Sequence, residues 1–353
     1  MRRWLGSVRA AGRRAAIALS RPTRSGVAVF YGHRSIPALG DPVAGGLVKF
    51  QRLQAAFPNR PRDFNLLYLG SSTLPTDWRT VLRLAARRKA RVVVNQDGVA
   101  YRGWAGDRTD ELNDRLREVL GSADHVLYQS QFCKRAADLF LGEPRGDWEV
   151  LPNAVDTTVF TPAAGPPPGG PVLLLAGDQT EAYRVETALR ALSLVAPEEP
   201  GARLLVTGSL VGDGGRGVIE ELGLAGRVEL TGRYAQRDAP ALYRRAHLLL
   251  HTKVNDPCPN VVLEALACGL PVVHAASGGV SELVGSEAGV AVPHEESWEQ
   301  DVPPAPENLA AAVSTVLARL GEYRAAARTR AAERFDLRPW LERHRELFES
   351  LVL

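Results

Sequence analysis

The sequence is poor in cysteine, and its three cysteines, Cys133, Cys258 and Cys268, include no C-x-x-C pair. An odd number without close spacing excludes a disulfide framework and a cysteine zinc site, and it fits a reducing, cytoplasmic setting. Long apolar runs are also missing. Stretches such as Val172 to Ala176 and Ala246 to Leu250 have strand length, short of the ~18 to 20 residues of a spanning helix. His247, His251, His274 and His294 show no ligand spacing, so no catalytic metal is expected. Acids are absent from the first 24 positions, which hold Arg2, Arg3, Arg9, Arg13, Arg14, Arg21 and Arg24. Setting these seven apart from the 43 bases leaves 36 against 40 acids, so the net +3 belongs to the tail and the body carries −4. Nothing in the body calls for nucleic acid as a partner.

What is present is ordinary globular usage: 45% apolar and 24% charged residues, which exclude disorder, a collagen-like repeat and a coiled coil. At 353 residues the chain exceeds the usual span of one core, which predicts two domains. Over residues 1–20, Trp4, Leu5, Val8, Ala11, Ala15 and Leu19 gather on one side of a helix with the first five arginines opposite, and Ile17 is the misfit. Ala15 to Leu19 is too short for a signal h-region. This segment reads as a solvated tail or as a contact with an anionic membrane surface.

From Gly26 onward, short β-branched runs alternate with helical patterns, the signature of parallel strands joined by crossover helices. Strands are expected at Val27–Tyr31, Phe64–Leu69, Arg91–Val94 and His125–Tyr128, with helices near Gly46–Ala56, Asp77–Lys89, Asp107–Gly121 and Ser130–Leu141. The AAGPPPGGP stretch that follows Pro162 reads as an interdomain linker. A second alternation places strands at Val172–Ala176, Arg203–Thr207, Arg227–Leu230, His247–Leu250, Pro271–His274 and Gly289–Val292. The divisions expected are a basic segment 1–25, a first Rossmann-like domain 26–152, a hinge and linker 153–171, a second Rossmann-like domain 172–336 and a terminal helix 337–353. The fold class is α/β, with two open parallel sheets and the ligand site in the cleft between them.

The densest chemical signal is DPCPNVVLEALACGLPVVHAASGGVSE, Asp256 to Glu282. Asp256 and Glu264 bracket Pro257 to Leu263, and Pro259 suits the first turn of the helix that holds Glu264. The free N–H groups of Asn260 and Val261 at that start suit a phosphate, and the carboxylates suit sugar hydroxyls. The bland alternative is that acids near a helix start complement its dipole. Gly45-Gly46 opens a first-domain helix, where glycine lets the backbone approach a phosphate or sugar; a plain turn is the alternative.

This stretch resembles the E-x7-E signature of the family 4 retaining glycosyltransferases of the GT-B fold, with Asp256 in place of the first Glu. Gly45-Gly46, PNAVDTTVF at Pro152 to Phe160, LEALACGLPVV at Leu263 to Val273, and Ser277-Gly278-Gly279 with Glu282 fall in the family's order. The resemblance implies two Rossmann-like domains facing across a cleft and a C-terminal helix that crosses back to the first domain. It implies hexosyltransferase-type chemistry, in which a sugar moves from a nucleotide diphosphate donor with retention of configuration and no bound metal or other cofactor. Glu264 would hold the ribose hydroxyls and Asp256 the donor sugar. The family's phosphate-binding Arg and Lys are replaced: Asp178 follows Gly177, and Arg184 follows Tyr183 near the Lys position. Arg184 and Lys253, the latter one of four lysines, are the substitute cations expected. A first-domain His of many relatives is missing from Asn95-Gln96-Asp97-Gly98; Asp97 would accept from acceptor or donor hydroxyls, unless Asp-Gly is an ordinary turn. His33 is the only imidazole nearby.

The acceptor, whether glycan, lipid-linked glycan or small molecule, is not legible, because its site lies on loops free to vary. A catalytically silent nucleotide or glycan binder and a same-fold epimerase are the competing readings.

Overall fold

In the computed structural model, which describes residues 26–41, 43 and 45–353, the chain builds two parallel sheets. The basic amphipathic stretch expected over residues 1–20 lies outside these residues. The first sheet runs in the order β1 (Val29–Phe30), β2 (Leu66–Gly70), β3 (Arg91–Gln96), β4 (His125–Tyr128) and β5 (Asp147–Val150). Its inner strands are covered on both faces, which is why they read as continuous apolar runs rather than as alternations. The edge strand β5, with the sequence DWEV and no fully buried residue, was not expected from its charge. The helix expected over Asp107–Gly121 is present as Thr109–Leu120. A short helix at Arg102–Ala105 and a 3-10 turn precede Thr109–Leu120, and Gly106, at φ 56°, breaks the run.

The second sheet is six-stranded, in the order β11 (Gly289–Val292), β10 (Val272–Ala275), β9 (Leu248–His251), β6 (Val172–Leu175), β7 (Arg203–Val206) and β8 (Val228–Leu230). The strand order reverses between β6 and β9, which pair through Leu173 with Leu248 and Leu174 with Leu249. The crevice beyond the carboxyl ends of such a pair is where open α/β sheets take ligands. In this chain Gly177 follows β6 there, and Thr252 and Lys253 follow β9.

The last helix, Leu337–Val352, belongs by packing to the first sheet. Trp340, Leu347 and Phe348 share a core with Tyr31, Phe50 and Tyr68, and the Phe57 and Phe348 rings lie 5.0 Å apart. The chain therefore crosses between the domains twice. The two crossings run side by side, with Val155 N–H donating to the Phe335 carbonyl (2.8 Å) and Leu337 N–H to the Val155 carbonyl (3.1 Å). Among the described residues, no helix is long and apolar enough to cross a membrane.

Candidate functional site

The turn after β9 is held open toward the cleft by its neighbours. Asn255 sits at φ 53°, its N–H donates to the Ser277 hydroxyl (2.8 Å), and Gly279 N–H donates to the Asp256 carbonyl (2.9 Å). A side chain on Gly278 would collide with the Asp256 backbone, and one on Gly279 with the Pro257 carbonyl, so this glycine pair is required by close approach. Asp256 Oδ2 then lies 3.2 Å from Lys253 Nζ and 3.9 Å from His251 Nε2. Burial, the largest single influence, works to raise the Asp256 carboxyl, but Lys253, His251 and Arg184 together leave a net lowering, so the carboxylate stays charged. Desolvation pushes the His251 imidazole down to about 3, and its buried Nε2 has no hydrogen-bond partner among the described residues.

Glu264 lies one helical turn past Asn260 in the helix Asn260–Ala267 and is buried. Its carboxylate accepts from Gln236 Nε2 (2.7 Å) and Tyr243 OH (2.9 Å), and Arg52 Nη2 of the first domain stands 4.0 Å away. Desolvation raises its pKa, with Arg52 acting against that shift. Arg184 is buried as well. Its Nη1 donates to the Asp178 carbonyl (2.9 Å) and lies 3.5 Å from Glu181 Oε2, while its Nε has no partner among the described residues. The Asp178 carboxylate accepts from Ser209 N–H at 2.8 Å and ties the loops after β6 and β7 together. Gly177, at φ 84°, lets this loop approach Val261, whose Cγ1 would be 3.1 Å from an added Cβ.

Across the cleft, Asn260 Nδ2 donates to the Gly45 carbonyl at 3.4 Å, so the first-domain glycine loop and the helix start meet. An added Cβ on Gly46 would lie 2.7 Å from Thr73 Cγ2. Asp97 is neither a plain turn residue nor a free acceptor. Its oxygens take hydrogen bonds from Lys49 Nζ (2.8 Å), the Ser71 hydroxyl, and the Ser72 N–H and hydroxyl (2.8 Å each). Burial raises its pKa, but Lys49 and these donors leave a net lowering. His33 Nε2 meets the Thr73 carbonyl at 2.8 Å.

Two contributors, Lys49 and Arg52, escaped sequence reasoning. Gly45, Lys49 and Arg52 fall at i, i+4 and i+7 on one face of the helix Gly45–Ala56, a spacing that marks a cleft-facing stripe, yet charge within a helix reads first as solvated surface. Lys49 also bonds Asn95, and Arg52 the Ala154 carbonyl. Glu282 accepts from the N–H groups of Gln131 (2.7 Å) and Phe132 (2.8 Å), so a second-domain carboxylate caps a first-domain helix.

Between the domains lies a cavity of about 370 Å³ that collects Asp97 and Lys253 on its walls with Ser72, Asn255, Trp104 and Trp298. Glu264, Arg184, Gly45, Gly46, Asn260 and Val261 lie outside it. Trp298, from the loop after β11, enters the first domain and stacks on Phe132 at 5.5 Å, with Tyr101 and Phe140 edge-on at 5.3 and 5.2 Å. Its carbonyl accepts from Gly103 N–H at 2.9 Å.

Residues 170–319 match the family described as glycosyl transferases group 1. The chain is 30% identical over 198 residues to a D-inositol 3-phosphate glycosyltransferase of Segniliparus rotundus, covering 52% of this chain and 42% of that one. A protein of the same name from Mycobacterium bovis is 29% identical over 178 residues, 46% of this chain and 36% of that one. The chain thus spans less than half the length of the curated relatives it matches. Among solved structures it is similar to the sucrose-phosphate synthase of Thermosynechococcus elongatus (TM-score 0.68, 19% identity, 86% of this chain and 76% of that one). It is also similar to Anabaena HepE in complex with UDP (TM-score 0.65, 20% identity, 82% and 79%). Residues 170–319, in the second domain, thus match the group 1 glycosyltransferases, and the chain as a whole has the two-sheet GT-B fold of these solved structures.

Proposed function

We propose that the chain transfers a sugar from a nucleoside diphosphate sugar to an acceptor hydroxyl, with retention of configuration and without a bound metal. The observation that carries this reading is the meeting of Gly45 with Asn260 across the cleft, beside the Asp256–Lys253 pair at the strand-order reversal. The complexes of the similar Anabaena protein with UDP and with UDP-glucose support a nucleotide-sugar donor. In the step proposed, the bond from the anomeric carbon to the diphosphate oxygen breaks, and the diphosphate leaves with the electron pair. The acceptor oxygen bonds to that carbon, and its proton passes to the departing phosphate. Lys253 and Arg184 offset the charge that develops, Asp256 holds the donor sugar, and Gly45, Gly46, Asn260 and Val261 line the approach of the phosphates. For Glu264 to take ribose hydroxyls, Gln236 has to give up its hydrogen bond. Asp97 supports the acceptor side through Ser72.

A catalytically silent binder is favoured by one observation: Asp178, which follows Gly177 where the resemblance implies an arginine, is an acid whose carboxylate is engaged by Ser209. Donor hydrolysis measured without acceptor separates the two, since turnover of any nucleoside diphosphate sugar excludes silence. The reading also assigns the chain to the cytoplasm, with residues 1–20 touching an anionic membrane face. Deleting residues 1–24 is then expected to abolish co-sedimentation with phosphatidylglycerol vesicles and to leave turnover intact; a full-length chain that never co-sediments refutes the membrane contact.

A further inference from the structure

The interdomain cavity carries more information than the transferase reading uses. Its polar residues cluster where β2 and β3 end, at Ser71, Ser72 and Asp97, and opposite them at Lys253 and Asn255. Much of the remaining lining is apolar: Val99, Leu112, Leu116, Phe132, Ala136 and the indole of Trp298. A free sugar, ringed at its edge with hydroxyls, would leave those that meet the Leu112, Leu116 and Ala136 wall unsatisfied. Two further features lack a structural explanation. Trp104, at the cavity, is 55% exposed, a large apolar surface left to water. Arg115, between Leu112 and Leu116 on the same helix, has a buried Nε with no partner, and among the described residues no carboxylate pairs with it. The other charges of the cavity are taken: Asp97 by Lys49, and Lys253 by Asp256.

We propose that this cavity holds the acceptor, and that the acceptor is a hydroxylated aromatic acid. Its flat apolar body lies between the indoles and the leucine wall, and its carboxylate takes the open guanidinium of Arg115. Its hydroxyl is presented at the strand ends beside Lys253. This rests on the transferase reading above and narrows its acceptor to one chemical class. In the step implied, the acceptor O–H gives way to an O–C bond to the sugar, as written above, and the acid group is unchanged.

The test uses the full-length protein and tryptophan fluorescence, because Trp104 and Trp298 report on the cavity directly. The probes are 4-hydroxybenzoate and 6-hydroxy-2-naphthoate, 2-naphthol as the neutral counterpart, and myo-inositol 1-phosphate as a charged polyol without an apolar face. At least one hydroxy acid is expected to quench saturably and to bind about tenfold or more tightly than 2-naphthol, the usual weight of a charge-assisted hydrogen bond. Arg115→Gln is expected to erase that difference while leaving 2-naphthol binding unchanged. Ala136→Leu, which fills the cavity, is expected to lose both naphthalenes. Nucleoside diphosphate binding, measured on the same samples, serves as the folding control for each variant. Binding of inositol phosphate in preference to the acids, or equal affinity for acid and naphthol in the wild type, overturns the proposal. If nucleoside diphosphates bind and none of the hydroxy acids does, the acceptor assignment falls and the donor reading stands; if neither binds, both fall.

Discussion

Two lysine–aspartate pairs face the same cleft, and they differ in what surrounds them. Lys49 and Asp97 lie 2.8 Å apart with side chains 4% and 5% exposed, and Asn95, Ser71 and Ser72 fill their remaining hydrogen-bonding positions. Lys253 and Asp256 lie 3.2 Å apart with 33% and 14% exposure, and their ammonium stands at the strand-order reversal without such a shell. A sealed pair fixes the shape of the cleft wall. An open pair can exchange its partner for a ligand's charge. Residue type does not separate these roles; hydrogen-bond saturation and burial do.

The comparison breaks most visibly by removing each cation in turn. Lys49→Met leaves a buried carboxylate uncompensated and is expected to cost about 3 to 5 kcal/mol of stability, read from urea unfolding. Lys253→Ala is expected to cost less than about 1 kcal/mol of stability, because its pair is partly solvated. Equal losses would erase the distinction. Turnover sharpens the same contrast from the other side. Lys253→Ala is expected to lower kcat on the order of 100-fold with a smaller change in KM, as for a cation that meets charge formed in the transition state. EDTA is expected to change neither constant, and strict dependence on a divalent ion would overturn the metal-free step. The contrast between sealed and open groups extends to two buried imidazoles. Burial holds His274 and His344 down at about 4, so below pH 6.5 the unfolded chain binds protons that the folded chain refuses. Stability therefore falls with falling pH between about 6.5 and 4, by up to about 1.4 kcal/mol per unit for each group. An acid-side unfolding series that is flat in this window would contradict their buried, neutral state.

The sequence made the second domain more legible than the first for a physical reason. The inner strands of both domains are apolar runs, but in the second domain Asp256, Asn260, Glu264 and Glu282 sit within one continuous stretch. In the first domain the site is assembled from separated positions. Gly45, Lys49 and Arg52 come from a helix, Ser71 and Ser72 from the end of β2, and Asp97 from the end of β3, so no short window contains it. Asp97 illustrates the limit. Asp-Gly reads equally as a turn, and only the convergence of Lys49 and two serines gives it another role. Strand β5 was missed for the opposite reason, since an edge strand needs no apolar run. Arg115 lay inside the helix expected over Asp107–Gly121, where an Arg reads as a solvated charge, and Trp104 lay just before it.

The most direct test of the central claim is calorimetry of UDP, GDP, ADP and TDP with the wild type and with Glu264→Gln. The account predicts that at least one nucleoside diphosphate binds in the absence of metal, and that the substitution weakens it by about 1 to 3 kcal/mol, the range for hydrogen bonds to a charged carboxylate. Unchanged affinity in the variant would remove Glu264 from the nucleotide site, and absence of binding by all four would contradict the nucleotide-sugar function itself.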